Sequence, residues 1–286
     1  MGPIMQIGHL TSDGKEEYIS DIPQFGLGTF LMSESGECRE AVLTALELGY
    51  RHIDTAMAYE NEGEVGEAIA EAISRGIITR DELFVTTKLR QPHAIGFEAA
   101  MQRCQESMNN LGLEFIDLYL VHAPPKNLDH REPTWKGMEE CLRKGWTKAI
   151  GVSNYGAHHL DSMCSYAKFM PSVNQIEVHP WLQRNALRAA TEAIGAKVMA
   201  YSPLARGHKV DDPKLIEIAE NIGCTPAQAA IKWCLYNGCI TVPKSSSANR
   251  IEENLSSLDV NLDTHIHLFN ELEENYISGW DPTSEA

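Results

Sequence analysis

Eight short apolar runs rich in β-branched residues, with helical periodicity between most of them, constrain this chain more than any other feature. They are Phe25-Gly-Leu-Gly-Thr29, His52-Ile-Asp-Thr55, Leu83-Phe-Val-Thr-Thr-Lys88, Asp117-Leu-Tyr-Leu-Val-His122, Ala149-Ile-Gly-Val-Ser153, Val173-Asn-Gln-Ile-Glu177, Lys197-Val-Met-Ala-Tyr-Ser202 and Ile240-Thr-Val-Pro-Lys244. Strands that alternate with helices join as βαβ units of a parallel sheet. Eight units without a composition break predict an α/β fold, a (β/α)8 TIM barrel with an N-terminal β-hairpin, filling residues 1–286 as one domain. A doubly wound sheet is the second architecture that fits the alternation.

The intervening segments pass a test for helical faces. Val65, Ala68, Ile69, Ala72 and Ile73 follow one face, as do Phe97, Met101, Cys104, Met108 and Leu111, and Ala227, Ala230, Ile231, Cys234 and Leu235. The last of these helices opens on Thr225-Pro-Ala-Gln228, a capping box with proline in the first turn. Gly49, Gly112, Gly145, Gly195, Gly223 and Gly238 fall where helical stretches end and a left-handed cap is wanted. Residues 6–24, two extended runs around Ser12-Asp-Gly-Lys15, predict the hairpin that caps one barrel end. The tail from Ile277 to Ala286 is expected to wrap the surface.

Forty acidic residues against 24 basic ones give a formal charge of -16, which disfavours nucleic acid as a partner because phosphate contacts need a basic face. Seven scattered cysteines, odd in number and never spaced C-x-x-C, fit neither a disulfide framework nor a zinc ribbon. No clustered set of metal ligands is present, and His158-His159 and His265-Ile-His267 lack partners at ligand spacing. No apolar run approaches the roughly 18 residues of a membrane helix, and no leader pattern opens the chain, so a cytoplasmic protein without a membrane partner is expected. The five tryptophans read as packing residues and Glu271 to Glu274 as a solvated helix face.

Reacting groups in such a barrel stand at the carboxyl ends of strands. Asp54 closes the second run, Lys88 the third, His122 the fourth, Ser153 and Asn154 the fifth, Ser202 the seventh and Lys244 the eighth. Neighbouring strands lie about 4.8 Å apart, so Asp54 and Lys88 can pair with His122 beside them. Tyr59, five residues beyond Asp54, can lean over the same point. A phenol, an ammonium and an imidazole around one cavity suit proton transfer to a developing alkoxide. Free tyrosine titrates near 10, and Lys88 is expected to lower that value. Lys244-Ser-Ser-Ser247 with Arg250 sets two cations and three hydroxyls at a strand end, where barrels bind phosphate. Gly26-Leu-Gly28 is no dinucleotide fingerprint, since Leu31 stands where a third glycine belongs; these glycines read as close-packing or cofactor-approach positions.

Together these residues complete a resemblance over nearly the whole chain: it resembles an aldo-keto reductase. The motifs are Gly-Tyr-Arg-His-Ile-Asp-Thr-Ala from Gly49, Tyr-Glu-Asn-Glu from Tyr59, Val-Thr-Thr-Lys from Val85 and Asp-Leu-Tyr-Leu-Val-His from Asp117. Ala-Ile-Gly-Val-Ser-Asn from Ala149, Val-Asn-Gln-Ile-Glu from Val173, Tyr-Ser-Pro-Leu from Tyr201, and Val-Pro-Lys-Ser with Arg250-Ile-Glu-Glu-Asn254 follow in family order. The resemblance implies a barrel that reduces small carbonyl substrates with NADPH and no metal. It implies that Asp54, Tyr59, Lys88 and His122 form the family tetrad, with Tyr59 as general acid and His122 orienting the carbonyl. Histidine at 122 fits carbonyl reduction rather than the steroid double-bond branch, which carries glutamate there.

By the same resemblance Ser153, Asn154 and Gln175 hold the carboxamide and Tyr201 stacks on the nicotinamide. Thr29, Ser202 and Leu204 lie along the ribose and pyrophosphate, Lys244, Ser245 and Arg250 at the 2'-phosphate, and Glu253 and Asn254 at the adenine. Relatives often carry tryptophan at the positions of Phe30, Arg90 and Ala123, which implies a pocket wider at Ala123 and more polar near Arg90. The short tail after Trp280 implies an open or reduced cover. Two other readings compete: a nucleotide-binding regulatory subunit that resembles potassium-channel β subunits, and a phosphate-binding barrel lyase or isomerase using the same lysine.

Overall fold

The computed structural model describes residues 2–89 and 96–285. It opens on an antiparallel hairpin, β1 (Ile4–Leu10) and β2 (Glu16–Pro23), whose turn uses left-handed Gly14 at φ 79°. The predicted hairpin is present, beginning two residues earlier. Eight parallel strands follow: β3 (Leu27–Gly28), β4 (His52–Asp54), β5 (Phe84–Leu89), β6 (Ile116–Val121), β7 (Thr147–Ser153), β8 (Val173–Glu177), β9 (Lys197–Tyr201) and β10 (Ile240–Val242). Their order in the sheet is their order in the chain.

First and last strands meet. Gly26 N donates to Thr241 O and Gly28 N to Pro243 O, each at 3.0 Å, while Thr241 N donates to Gln24 O at 2.7 Å. The sheet closes into a (β/α)8 barrel, and the doubly wound alternative falls away. Gly26 and Gly28 belong to this seam: a Cβ on Gly28 would stand 2.9 Å from Val242 O, and one on Gly26 2.8 Å from the His52 ring.

Helices α1 (Glu37–Leu48), α2 (Glu62–Ser74), α3 (Phe97–Leu111), α4 (Arg131–Arg143), α5 (Ala157–Met163) and α6 (Asn185–Ala193) connect successive strands from β3 to β9. Both α7 (Pro213–Ile222) and α8 (Pro226–Tyr236) lie between β9 and β10, and α9 (Ala248–Leu255) follows β10. Helix α2 buries Val65, Ala68, Ile69 and Ala72 as its spacing requires, whereas Ile73 and Phe97, at helix ends, are exposed. The capping box forms reciprocally, Gln228 N donating to Thr225 Oγ1 (3.2 Å) and Thr225 N to Gln228 Oε1 (3.0 Å). All six predicted cap glycines adopt positive φ.

Position follows from packing. Ile7 and Ile22 of the hairpin join Phe84, Leu118, Ala149 and Ile240 in one apolar cluster that fills the amino end of the barrel. The carboxyl ends of the strands form the open mouth. The C-terminal segment, expected to wrap the surface, is anchored at the rim of this mouth. Ser278 N donates to the buried Glu177 carboxylate at 3.0 Å, Asp281 pairs with Arg184 at 2.7 Å, and Glu285 O lies 2.9 Å from His158 Nε2. Of the Glu271 to Glu274 run, expected as a solvated helix face, Glu271 is exposed on a 3-10 turn (Ile266–Leu272), whereas beyond it Glu273 accepts from Gln183 N (2.6 Å) and Asn275 N (2.7 Å), and Glu274 pairs with Lys209.

All seven cysteines are free thiols. Among the described residues no three His, Cys, Asp or Glu side chains could hold a metal ion, and no helix is long and apolar enough to cross a membrane.

Burial also sets an acid limit. Desolvation pushes the pKa of His9, His52 and His159 down from 6.5 to about 4, partly opposed at His9 by its bond to Met170 O. Between pH 6.5 and about 4 the unfolded chain binds protons that the folded chain refuses, so the stability present above 6.5 is lost as pH falls through that window. The urea midpoint is expected to be lower near pH 5 than near pH 7.5, and equal midpoints would contradict the assignment.

Candidate active site

Strand register brings the acid and the base together. Asp54 ends β4 and Lys88 lies one residue from the end of β5, the adjacent strand. Lys88 Nζ donates to Asp54 Oδ1 (2.7 Å), Thr55 O (2.8 Å) and Tyr59 Oη (3.3 Å). All three ammonium donors are used, and Lys88 is fully buried. Desolvation works against that charge, but the Asp54 carboxylate and the Tyr59 phenol outweigh it and leave the Lys88 pKa above its ordinary value.

Tyr59 closes a short 3-10 turn, Met57–Tyr59, directly after β4. Because Lys88 donates to the phenol oxygen, the phenol's own hydrogen is left for the cleft. The edge of the His122 ring meets the Tyr59 ring, 5.7 Å between centres at 78°, and Phe30 packs on its other side at 5.1 Å. The expected fall in the tyrosine pKa does not hold. Desolvation raises it above 10, Lys88 opposes that, and Asp54 adds to it, so the net shift is upward and the phenol stays protonated at neutral pH. Burial and then Lys88 lower the His122 pKa to about 3, which keeps this imidazole neutral.

A second set of polar groups bonds outward from the same carboxylate. Gln175 Nε2 donates to Asp54 Oδ2 at 2.7 Å, and Gln175 O accepts from Ser153 Oγ (2.9 Å) and Asn154 N (2.8 Å). Tyr201 Oη donates to Asn154 Oδ1 at 2.8 Å, while Asn154 Nδ2 donates to His122 O at 3.0 Å. Leu31, Asn154 and Ser202 hold left-handed backbone at φ 60°, 62° and 49° around this cleft. Such conformations in residues other than glycine cost energy and gather at functional sites.

The cleft has a volume of about 570 Å³, within the range of small-molecule sites. At one end lie Asp54, Tyr59 and His122; its wall carries Ser153, Asn154, Gln175, Tyr201, Ser202 and Leu204; at the far end stand Lys244, Ser245, Arg250, Glu253 and Asn254. Of the expected cofactor residues only Thr29 is set apart, fully buried with its hydroxyl on Thr55 Oγ1 at 2.9 Å. Lys244 Nζ is 3.8 Å from Glu37 Oε1, Glu253 accepts from Thr225 Oγ1 at 2.7 Å, and Ser247 at the start of α9 makes no capping bond.

Trp280 does not pack inside but lines the cleft, 52% exposed. In the sequence Asn61 is only one letter of the Tyr59 motif, yet its Nδ2 donates to Thr29 O (3.0 Å) and Met32 O (3.2 Å), tying the Tyr59 turn to the loop after β3. Phe30 lines the cleft, Ala123 is buried, and Arg90 lies outside the described residues.

A model of the aldo/keto reductase family matches residues 24–272. Methylglyoxal reductase DkgA of Escherichia coli is 42% identical over 245 residues, spanning 85% of this chain and 86% of that protein. Glyoxal reductase of Bacillus subtilis is 38% identical and covers 85% of each chain. The crystal structure of a Bombyx mori aldo-keto reductase in complex with NADP superposes with a TM-score of 0.85 at 34% identity, over 99% of this chain and 96% of that one.

Proposed function

Since the chain belongs to the aldo/keto reductase family and is an oxidoreductase of carbonyl and alcohol groups, we propose that it reduces small aldehydes and ketones to alcohols with NADPH, using Tyr59 as the proton donor. The observation that carries this reading is the hydrogen-bond polarity at Tyr59: Lys88 donates to the phenol oxygen, and the phenol hydrogen remains for a substrate oxygen. Bound NADPH supplies the hydride that the carbonyl carbon accepts.

The chain's own groups do the rest. Neutral His122 donates a hydrogen bond to the carbonyl oxygen and fixes it beside Tyr59. As negative charge grows on that oxygen, Tyr59 gives up its proton, and the Lys88 ammonium stabilises the phenolate left behind. Asp54 holds Lys88 charged in a dry site. Ser153, Asn154 and Gln175 would hold the carboxamide, the Tyr201 face would carry the nicotinamide, and Ser202 and Leu204 would border the pyrophosphate. Thr29 braces the floor beneath them.

The far end of the cleft suits a phosphate in its chemistry. Arg250 has no carboxylate partner among the described residues, Lys244 is only weakly engaged, and α9 begins uncapped beside them. Lys244, Ser245 and Arg250 would hold the 2'-phosphate, with Glu253 and Asn254 at the adenine. The glyoxal and methylglyoxal reductases among the relatives support small aldehydes as substrates.

The test is NADPH absorbance followed against methylglyoxal, other aldehydes, ketones and sugars, with and without a chelator. Carbonyl-dependent oxidation indifferent to the chelator is expected. Tight NADPH binding without turnover would favour a regulatory subunit instead. Cofactor choice gives a further prediction. NADH lacks the 2'-phosphate, and hydrogen bonds to a charged group contribute roughly 1.5–3 kcal/mol, so NADH should bind roughly 10- to 100-fold more weakly. Arg250 can grip a phosphate with two donors, so Arg250→Ala should erode the preference more than Lys244→Ala does. Quenching of tryptophan fluorescence reads both constants. Equal affinity of the unmodified protein for the two cofactors would overturn the phosphate-site assignment.

A further inference from the structure

We propose that Asn61 is a positioning residue for the proton donor, holding Tyr59 within reach of Lys88 by clamping the loop after β3, a role that rests on the reductase reading above. An asparagine directly before a helix ordinarily turns its side chain onto the first backbone amides of that helix. Asn61 stands in that place before α2, yet its side chain makes no capping bond. It is buried, and its amide is bonded elsewhere.

The bonds form a closed circuit. Thr29 Oγ1 donates to Thr55 Oγ1 (2.9 Å) and Thr55 Oγ1 to Asn61 Oδ1 (3.0 Å), while Asn61 Nδ2 returns to Thr29 O (3.0 Å) and spends its second hydrogen on Met32 O (3.2 Å). Thr29 and Thr55 are fully buried, so a group that loses its partner here is left unpaired.

The circuit touches the proton donor from two sides. The carbonyls of Thr29 and Met32 bracket Phe30 and left-handed Leu31 (φ 60°), and the Phe30 ring packs on Tyr59 at 5.1 Å. On the other side Thr55 O accepts from Lys88 Nζ at 2.8 Å. Between Tyr59 and Asn61 stands Glu60, also left-handed at φ 60°, a conformation that a residue with a side chain keeps only where its surroundings hold it. The bond from Lys88 to the phenol oxygen is long at 3.3 Å, past the usual span of about 2.7–3.2 Å, which leaves little slack before it is lost. Asn61 supplies the outside grip that keeps this turn in register with Lys88.

The test measures kcat with methylglyoxal at saturating NADPH, NADPH affinity by fluorescence and the urea midpoint, for Asn61→Ser, Thr55→Val and each combined with Tyr59→Phe. Serine caps a helix about as well as asparagine does, but its hydroxyl stops one bond short of the amide nitrogen, so the clamp goes while α2 keeps its start. Asn61→Ser should lose roughly 10- to 100-fold in kcat, the scale of a misplacement of about 1 Å, with NADPH affinity unchanged. Thr55→Val, which removes one bond of the circuit and keeps its shape, should lose less in the same direction. In the residual rate of Tyr59→Phe, read at high enzyme concentration, neither substitution should cost anything further, because the effect is carried by the phenol. Equal losses with and without the phenol hydroxyl would overturn the proposal, as would unchanged kcat in Asn61→Ser or weaker NADPH binding that accounts for the whole loss. Should Asn61→Ser fail to fold, the cycle of Thr55→Val with Tyr59→Phe decides by the same criterion. Absence of carbonyl reduction by the unmodified protein would instead fell the reductase reading, and the proposal with it.

Discussion

Tyr59→Phe is expected to bind NADPH normally and to lose roughly 10²- to 10⁴-fold in kcat, the usual range for a lost general acid. The ring contacts with Phe30 and His122 survive the substitution, so the cleft keeps its shape. What disappears is the phenol oxygen to which Lys88 donates, and with it the proposed proton donor. The comparison is kcat with methylglyoxal against the dissociation constant of NADPH. A variant with unchanged kcat would remove Tyr59 from the chemistry. One that lost cofactor binding in step with kcat would assign it a packing role.

Lys88→Met has two consequences that separate. The Asp54 carboxylate loses its cation in a fully buried setting, and breaking such a pair from one side typically costs about 3–5 kcal/mol. Tyr59 loses the neighbour that opposes its burial, so its pKa moves further up and its phenolate loses its stabiliser. Both stability and kcat should fall. The double variant Asp54→Asn with Lys88→Met should recover most of the stability, because no unpaired charge remains, yet stay as inactive as the single variant. Urea unfolding and steady-state rates on the same samples check this. Recovery of activity along with stability would make the lysine structural only.

What the sequence disclosed and what it withheld differ in physical kind. Strands, helix faces, the Thr225 capping box and the six cap glycines were legible because each is a local matter of side-chain period or backbone conformation. The meeting of Asp54 and Lys88 was legible because strand ends in a parallel barrel share one mouth, which needs no knowledge of loops. The sign of the Tyr59 shift was not, since it depends on how completely the phenol is desolvated, and burial is a property of the whole fold. The anchoring of the tail was not legible for a similar reason. Its hold on the mouth rests on Glu177, Arg184 and His158, roughly a hundred residues away in sequence, and no local pattern in Ile277 to Glu285 announces them. The place of Trp280 in the cleft lining follows from that anchoring.

The central claim is that this cleft passes a hydride from NADPH to a carbonyl carbon while Tyr59 protonates the oxygen. The most direct measurement supplies NADPH deuterated at the transferring position, with methylglyoxal as substrate, and reads the alcohol by mass spectrometry. The account predicts a single deuterium, on the carbon that bore the carbonyl, in product formed by the unmodified protein, and almost no product with Tyr59→Phe. Unlabelled alcohol, or labelled alcohol formed equally well without the phenol hydroxyl, would contradict it.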